Sequence, residues 1–96
     1  MRLYVVTSVG PLLGETDPEV HSEVYYDRVL AAATWRDWAV EDEPNPGVRA
    51  EVERLMSAFT ADDGQWRLLW IDPGESPWIH AVTSSEVPNL RLVWAD

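Results

Sequence analysis

Two histidines, and the acids near one of them, are the residues best suited to acid–base chemistry. Histidine is the side chain that exchanges a proton near neutral pH, and the chain has His21 and His80. Asp72 and Glu75 precede His80 across a predicted turn, which would let the three side chains approach one another. No nucleophile-elbow glycine pattern surrounds the serines of the predicted loops, which are Ser76, Ser84 and Ser85. We therefore predict a half-buried strand histidine at position 80 and no enzymatic activity.

Metal coordination is a second chemistry that these residue types allow. The candidate ligands are Asp62, Asp63, Asp72 and His80. They lie on separate predicted elements, and their spacing matches no familiar metal-binding motif. The sequence has no cysteine, which excludes disulfides and thiolate ligands. Neither a metal nor a cofactor is predicted.

The distribution of charge is the strongest functional signal in the sequence. The formal net charge is −10. Residues 15–63 contain 13 Asp and Glu against 4 Arg, whereas the rest of the chain contains 4 acids and 3 Arg. A negative field of this size attracts basic surfaces and repels nucleic acid and anionic membranes. The predicted partner is therefore a basic protein, with no direct binding of nucleic acid or membrane.

The acids also form a row on a helix predicted from residue 16 to about residue 40. At 100° per residue, five of them fall within a sector of about 80°, and two more follow at the far end. Like charges one turn apart cost a few tenths of a kcal/mol per pair, and no arginine relieves them locally. The row is interpreted either as a docking surface for a basic partner or as the solvated face of an acidic protein. Its members are Glu19, Glu23, Asp27, Asp37, Glu41, Asp42 and Glu43.

Arginines define a second candidate surface, on the face of the predicted sheet that points away from the helices. Alternation along the strands places Arg2, Arg67 and Arg91 there, beside Tyr4 and Leu69. Arginine and aromatic residues among aliphatic ones are typical of protein interfaces. Trp78, at a strand entrance, is the best candidate for an exposed aromatic side chain. This surface is interpreted as a homodimer or partner contact, as a site for a small anionic ligand, or as a half-exposed face on which arginine stems cover apolar surface.

The elements that must position these residues follow from local signals. Strands are predicted at residues 2–9, 65–72, 78–83 and 90–95, and a second helix starts at the Asn45 cap with Pro46 in its first turn. The order β-α-α-β-β-β predicts a two-layer α+β fold with about four mostly antiparallel strands and two helices on one face. The whole chain, residues 1–96, is predicted to be a single domain. Core packing is expected for five of the six tryptophans, which are Trp35, Trp38, Trp66, Trp70 and Trp94.

Three functional hypotheses follow, the first of which the charge distribution favours. It describes a small acidic cytoplasmic binding protein that blocks or regulates a basic partner through its acidic helical face. An immunity protein for a nuclease toxin, an antitoxin or a phage-encoded inhibitor of a nucleic-acid enzyme would have this charge distribution. The second is an accessory or structural subunit that assembles through the arginine-bearing sheet face. The third is a small-molecule enzyme or ligand carrier with a site near His80.

Overall fold

A computed structural model describes residues 1–14, 16–73 and 77–86 of the chain. The strands are β1 (Arg2–Gly10), β2 (Glu19–Tyr25), β3 (Arg67–Ile71) and β4 (Ile79–Glu86), and the helices are α1 (Arg28–Val40) and α2 (Pro46–Ala61). They form one sheet of order β2-β1-β4-β3, in which every neighbouring pair is antiparallel. The helices pack on one face of this sheet. The predicted two-layer α+β fold class is confirmed.

The stretch predicted as the beginning of the first helix is a strand instead. Glu19–Tyr25 pairs with β1 over seven residues, and α1 starts only at Arg28, where the Asp27 side chain accepts a hydrogen bond from the Leu30 amide at 3.0 Å. The cap-like sequence at residues 16–19 suggested an earlier start. The valines and the closing tyrosine of β2 have high strand propensity, and pairing with β1 outweighs the local cap. The acidic row therefore does not lie on one helix.

The second helix forms where the local signals place it. Pro46 lies in the first turn of α2, and the Asn45 side chain accepts from the Gly47 amide at 2.8 Å. Val52 and Phe59 are fully buried and anchor the apolar side of α2. Residues 90–95, predicted as a further strand, lie outside the described residues, as do Arg91 and Trp94.

Small residues let α1 approach the sheet closely. Ala31 and Ala32 are fully buried, and between them and the end of the helix the Trp35 ring fills the core. The Trp35 indole Nε1–H donates to the carbonyl of His80 at 2.8 Å. This bond satisfies the polar edge of a buried indole, as its burial requires, and it ties α1 to the beginning of β4.

The alternation of β1 is opposite to the prediction. Tyr4, Val6 and Ser8 are buried on the helix side, whereas Leu3 and Val5 point to the other side. Both sets are apolar enough to face a core, so composition alone does not distinguish them. The helix-facing set ends in Ser8 and Gly10, and such small residues leave room for the rings of His80 and Trp78.

One face of the sheet is left uncovered by the helices, and we call it the outer face. It contains Arg67 and Leu69 as predicted, but Arg2 and Tyr4 belong to the helix side, where Arg2 donates to the Ser84 hydroxyl at 2.8 Å. The predicted arginine-bearing surface is thus divided between two faces. By the strand register, the outer face comprises Leu3, Val5, Thr7, Val9, Val20, Ser22, Val24, Arg67, Leu69, Ile71, Ile79, Ala81, Thr83 and Ser85.

Candidate functional site

A row of polar and aromatic side chains crosses the helix side of the sheet near one end. Ser8 on β1 is the register partner of His21 on β2 and of His80 on β4, and His80 is paired in turn with Trp70 on β3. Residues in register on one face of a sheet are close neighbours. Antiparallel pairing therefore assembles four side chains from four strands into one line.

The centre of this row is a hydrogen-bonded chain from Asp72 through His80 to Ser8. The Ser8 Oγ lies 2.6 Å from His80 Nδ1, and His80 Nε2 lies 3.3 Å from Asp72 Oδ2. Both Ser8 and His80 are buried. The other carboxylate oxygen of Asp72 accepts from the Trp70 indole at 3.1 Å. The Trp70 indole thus holds the Asp72 carboxylate in place, and the carboxylate in turn orients the His80 imidazole.

Trp78 covers this row from the strand entrance. Its ring stacks on His21 at 6.1 Å and on His80 at 6.4 Å between centroids, with interplanar angles of 18° and 7°. These distances lie in the range of offset aromatic stacking. The backbone at this point is held by the hydrogen bond from the Asp72 amide to the Trp78 carbonyl at 2.9 Å. Gly10 is required beneath the ring, since a Cβ there would lie 2.4 Å from Trp78 Cδ2.

An open cleft of about 870 Å³ lies above these rings and below the end of α1. Ser8, His80 and Trp78 form its floor on the sheet, and α1 contributes Trp38 to its lining. Among the residues that the structure describes, no arginine lines it. We call it the acidic cleft, because its lining includes five carboxylates, those of Glu23, Glu41, Asp42, Glu43 and Asp72.

The chemistry that this arrangement favours is recognition of a cation. Carboxylates supply charge-assisted acceptors, and indole faces attract ammonium and guanidinium groups. Ser8 differs from a hydrolase nucleophile in its setting, because it lies in the middle of β1, which is paired along both edges. The backbone amides around it are engaged in the sheet, so they are not free to stabilise an oxyanion. Within the described residues, no group of three or more Asp, Glu or His side chains could hold a metal ion.

Four of the seven predicted partner-binding acids line the acidic cleft, and three do not. Glu23 comes from β2, while Glu41, Asp42 and Glu43 follow α1. Glu19 lies beside His21, with 3.5 Å between Oε2 and Nε2. Asp27 caps α1, and Asp37 pairs with the Arg36 guanidinium at 2.9 Å.

Sequence reasoning missed Ser8 and His21 as members of this site, and it placed Trp78 incorrectly. Trp78 is half-buried in the cleft and does not belong to the outer face. The proximity of Asp72 to His80 was considered from the predicted turn. The contact with Ser8 depends on pairing between β1 and β4, which are 72 positions apart at this point. The available signal for this contact was that Ser8 and His80 are polar residues at core-facing positions of otherwise apolar strands.

Comparison with known proteins gives no match to a family model, a curated protein or a solved structure. The site therefore has to be interpreted from its own geometry. Among the described residues, neither helix combines the length and apolar character that crossing a membrane requires.

The ionisation of Tyr25 reports on the charge at the cleft wall. Its hydroxyl donates to the Glu23 carboxylate, and this hydrogen bond raises the pKa of Tyr25 above its usual value. A hydrogen bond from the Thr34 hydroxyl, at 3.2 Å, lowers the pKa and partly offsets this increase. We expect Glu23→Gln to shift the Tyr25 titration to lower pH, because the neutral phenol loses its anionic acceptor. Alkaline NMR titration of the ring measures this, with Asp37→Asn as the control. An unchanged midpoint in Glu23→Gln would contradict the contact.

Proposed function

We propose that this protein binds a basic protein partner and that a lysine or arginine side chain of the partner enters the acidic cleft. The observation that carries the proposal is the lining of the cleft, in which the described residues combine five carboxylates with two tryptophans and include no basic residue other than histidine. The proposal gives the acidic cleft a binding role and replaces the acidic helix face predicted from the sequence. The recognition element becomes a concave site between β2, β4 and the end of α1.

Electrostatics support this assignment at two ranges. At long range, the net charge of −10 steers a cationic partner towards the protein, and clefts with low-dielectric walls focus the field. At short range, Glu41 and Asp42 are exposed at the rim, whereas Glu43 and Asp72 are half-buried. A guanidinium that passes the rim therefore meets carboxylates that are progressively less screened by water.

The partner class that fits best is an enzyme acting on nucleic acid, such as a nuclease toxin. Such an enzyme needs a basic surface to bind phosphates, and an acidic cleft competes for the same basic side chains. Three classes of protein would act by such competition for basic side chains: an immunity protein, an antitoxin and a phage-encoded inhibitor. In each of them, blocking the basic site is sufficient for inhibition and requires no chemistry from the acidic protein.

We expect the triple variant Glu23→Gln, Glu41→Gln, Asp42→Asn to bind a hexa-arginine peptide about tenfold more weakly or worse, since each partly exposed ion pair contributes up to about 1 kcal/mol. The dependence of affinity on salt should also flatten, because fewer charges are engaged. Isothermal titration calorimetry at several NaCl concentrations measures both effects.

A charge-matched control separates the cleft from the overall charge of the protein. The variant Asp17→Asn, Asp37→Asn, Glu51→Gln removes the same number of charges at positions outside the cleft lining. It should retain the affinity of the native chain within about twofold, because Asp37 and Glu51 already pair with Arg36 and Arg54 and exposed charges outside the cleft are screened by salt. Equal losses in the two triple variants would show diffuse charge attraction and would refute a cleft-specific site.

A further inference from the structure

The outer face is more apolar than a solvent-facing sheet surface normally is. Four of its large apolar side chains are well exposed: Val20 by 64%, Val24 by 61%, Leu69 by 40% and Ile71 by 52%. They come from both edge strands of the described sheet, and half-buried Val5, Val9 and Ile79 lie between them. Apolar side chains thus extend from one edge of the sheet to the other. A contiguous apolar surface of this kind marks an interaction site.

Charge determines which partner this face fits. Its described residues include no Asp or Glu, although the chain has 17 of them. The acids of β2, Glu19 and Glu23, are register partners of Gly10 and Val6 and therefore lie on the helix side. Among the described residues of the outer face, Arg67 alone is ionised; it lies at a corner, where its guanidinium is 5.2 Å from the centroid of the Trp66 ring. A basic partner would find nothing complementary here, whereas a second copy can approach this face without bringing carboxylates together.

The dimensions of the face are sufficient for a weak dimer. Four strands at about 4.8 Å spacing give a width of about 19 Å, and paired lengths of five to eight residues at about 3.3 Å give roughly 17–26 Å. The projected area is roughly 400 Å² per copy, and the relief of the side chains adds to the surface removed from water. Specific interfaces bury about 800 Å² per partner, and transient ones bury less than about 600 Å². The face therefore matches the transient class.

We propose that the outer face binds a second copy of this chain, forming a reversible two-fold dimer in which the two sheets pack face to face. Aligned sheets pack about 10 Å apart at an angle of about 30°, which would cover Val24 and Leu69 in both copies. Both acidic clefts lie mainly on the helix side of their own sheets, although Val20 and Ser22 at the β2 edge also line them. The dimer would therefore present two cation-binding sites facing away from each other.

Salt distinguishes this contact from binding at the cleft. Two copies of charge −10 repel each other through solvent, so raising NaCl from about 0.05 M to about 0.5 M screens the repulsion and strengthens apolar association. Sedimentation velocity over a concentration series should show a dimer with Kd on the order of 10–100 µM at the higher salt. The affinity should be several-fold weaker at the lower salt, the opposite of the trend expected for the basic peptide. A strict monomer at about 1 mM in high salt, a concentration far above that Kd, would overturn the proposal while leaving the cleft untouched.

Charge substitutions locate the interface. Leu69→Glu and Leu69→Arg should each weaken the dimer by more than about tenfold, because either one buries an unpaired charge. Val24→Glu, on the opposite edge strand, should do the same, whereas Val29→Glu should leave the dimer intact, since Val29 is 62% exposed on α1 at the other side of the molecule. A tighter dimer in Leu69→Arg, or equal loss in Val29→Glu, would overturn the proposal. Circular dichroism of each variant verifies that the monomer remains folded.

Discussion

Replacing Arg28 with methionine is expected to lower the free energy of unfolding by about 3–5 kcal/mol. Arg28 is buried at the start of α1, and its guanidinium holds the far end of α2. Nε donates to the Phe59 carbonyl at 2.7 Å, and Nη2 donates to the carbonyls of Asp62 at 2.5 Å and Gln65 at 2.8 Å. These carbonyls belong to the last turn of α2 and the segment after it, where the helix itself supplies no donors.

The stacking of the guanidinium adds to this effect. Its central carbon lies 3.7 Å from the centroid of the Phe59 ring and 5.8 Å from that of Tyr4. Methionine would fill the volume but donate nothing, leaving acceptors without partners in the interior. Lysine would restore a charge but lacks the planar fork that reaches several carbonyls at once. Arg28→Lys should therefore recover only a minor part of the loss.

Urea unfolding of Arg28→Met and Arg36→Met tests this role. Arg36 forms ion pairs with Asp37 and Glu53 at 2.9 and 2.6 Å on a partly exposed surface, and pairs of this kind contribute about 1 kcal/mol or less. Similar losses in the two variants would mean that Arg28 is an ordinary surface cation. Because the free energy of unfolding of a domain is about 5–15 kcal/mol, the loss predicted for Arg28→Met would remove a large part of the stability.

Replacing Gly10 with alanine is expected to cost about 1–3 kcal/mol and to displace Trp78 from the floor of the acidic cleft. The added methyl group would lie 2.4, 2.5 and 2.9 Å from three atoms of the indole ring, well inside van der Waals contact. The stacking contacts of the ring with both His21 and His80 limit how far it can move away. The strain would therefore be transmitted to the stack and to the Ser8–His80 contact.

The indole Nε1–H resonance of Trp78 and the affinity for hexa-arginine measure this displacement separately from stability. Gly47→Ala is the control, because a Cβ there meets only the Asn45 side chain, at 3.2 Å. It should leave both readouts unchanged. A Gly10→Ala protein with native stability, an unshifted Trp78 signal and unchanged peptide affinity would show that the close approach has no role in shaping the cleft.

Local sequence signals predicted the parts of the fold that depend on local structure. The Asn45 cap, Pro46 and the spacing of Val52 and Phe59 predict α2, and α2 forms there. The same kind of signal failed at residues 16–19, because helix caps compete with strand pairing, and pairing depends on a distant partner. Predicting β2 would have required giving more weight to the strand propensity of its valines and tyrosine than to the capping residues before it.

The candidate site was predictable in its charge but not in its geometry. Excess acid in residues 15–63 predicted a cation-binding surface, and four of the predicted residues do line one cleft. They converge because β2 and the end of α1 meet beside the same end of the sheet, and not because they share a helix face. The alternation of β1 could not be assigned from composition, since Leu3 and Val5 are as apolar as Tyr4 and Val6. That ambiguity concealed Ser8 as the neighbour of His80.

The position of β2 has a consequence for how recognition would proceed. Among the described strands β2 pairs only with β1, and none of its residues is fully buried. Segments with little buried surface open at the lowest free energy, well below global unfolding. Amide hydrogens of β2 should thus exchange with solvent before those of β1 and β4. Opening β2 would withdraw His21 and Glu23 while leaving Asp72, His80 and Ser8 in place. Under the proposed function, the β2 wall of the cleft would therefore adjust to a bound cation while the β1 and β4 side stays fixed.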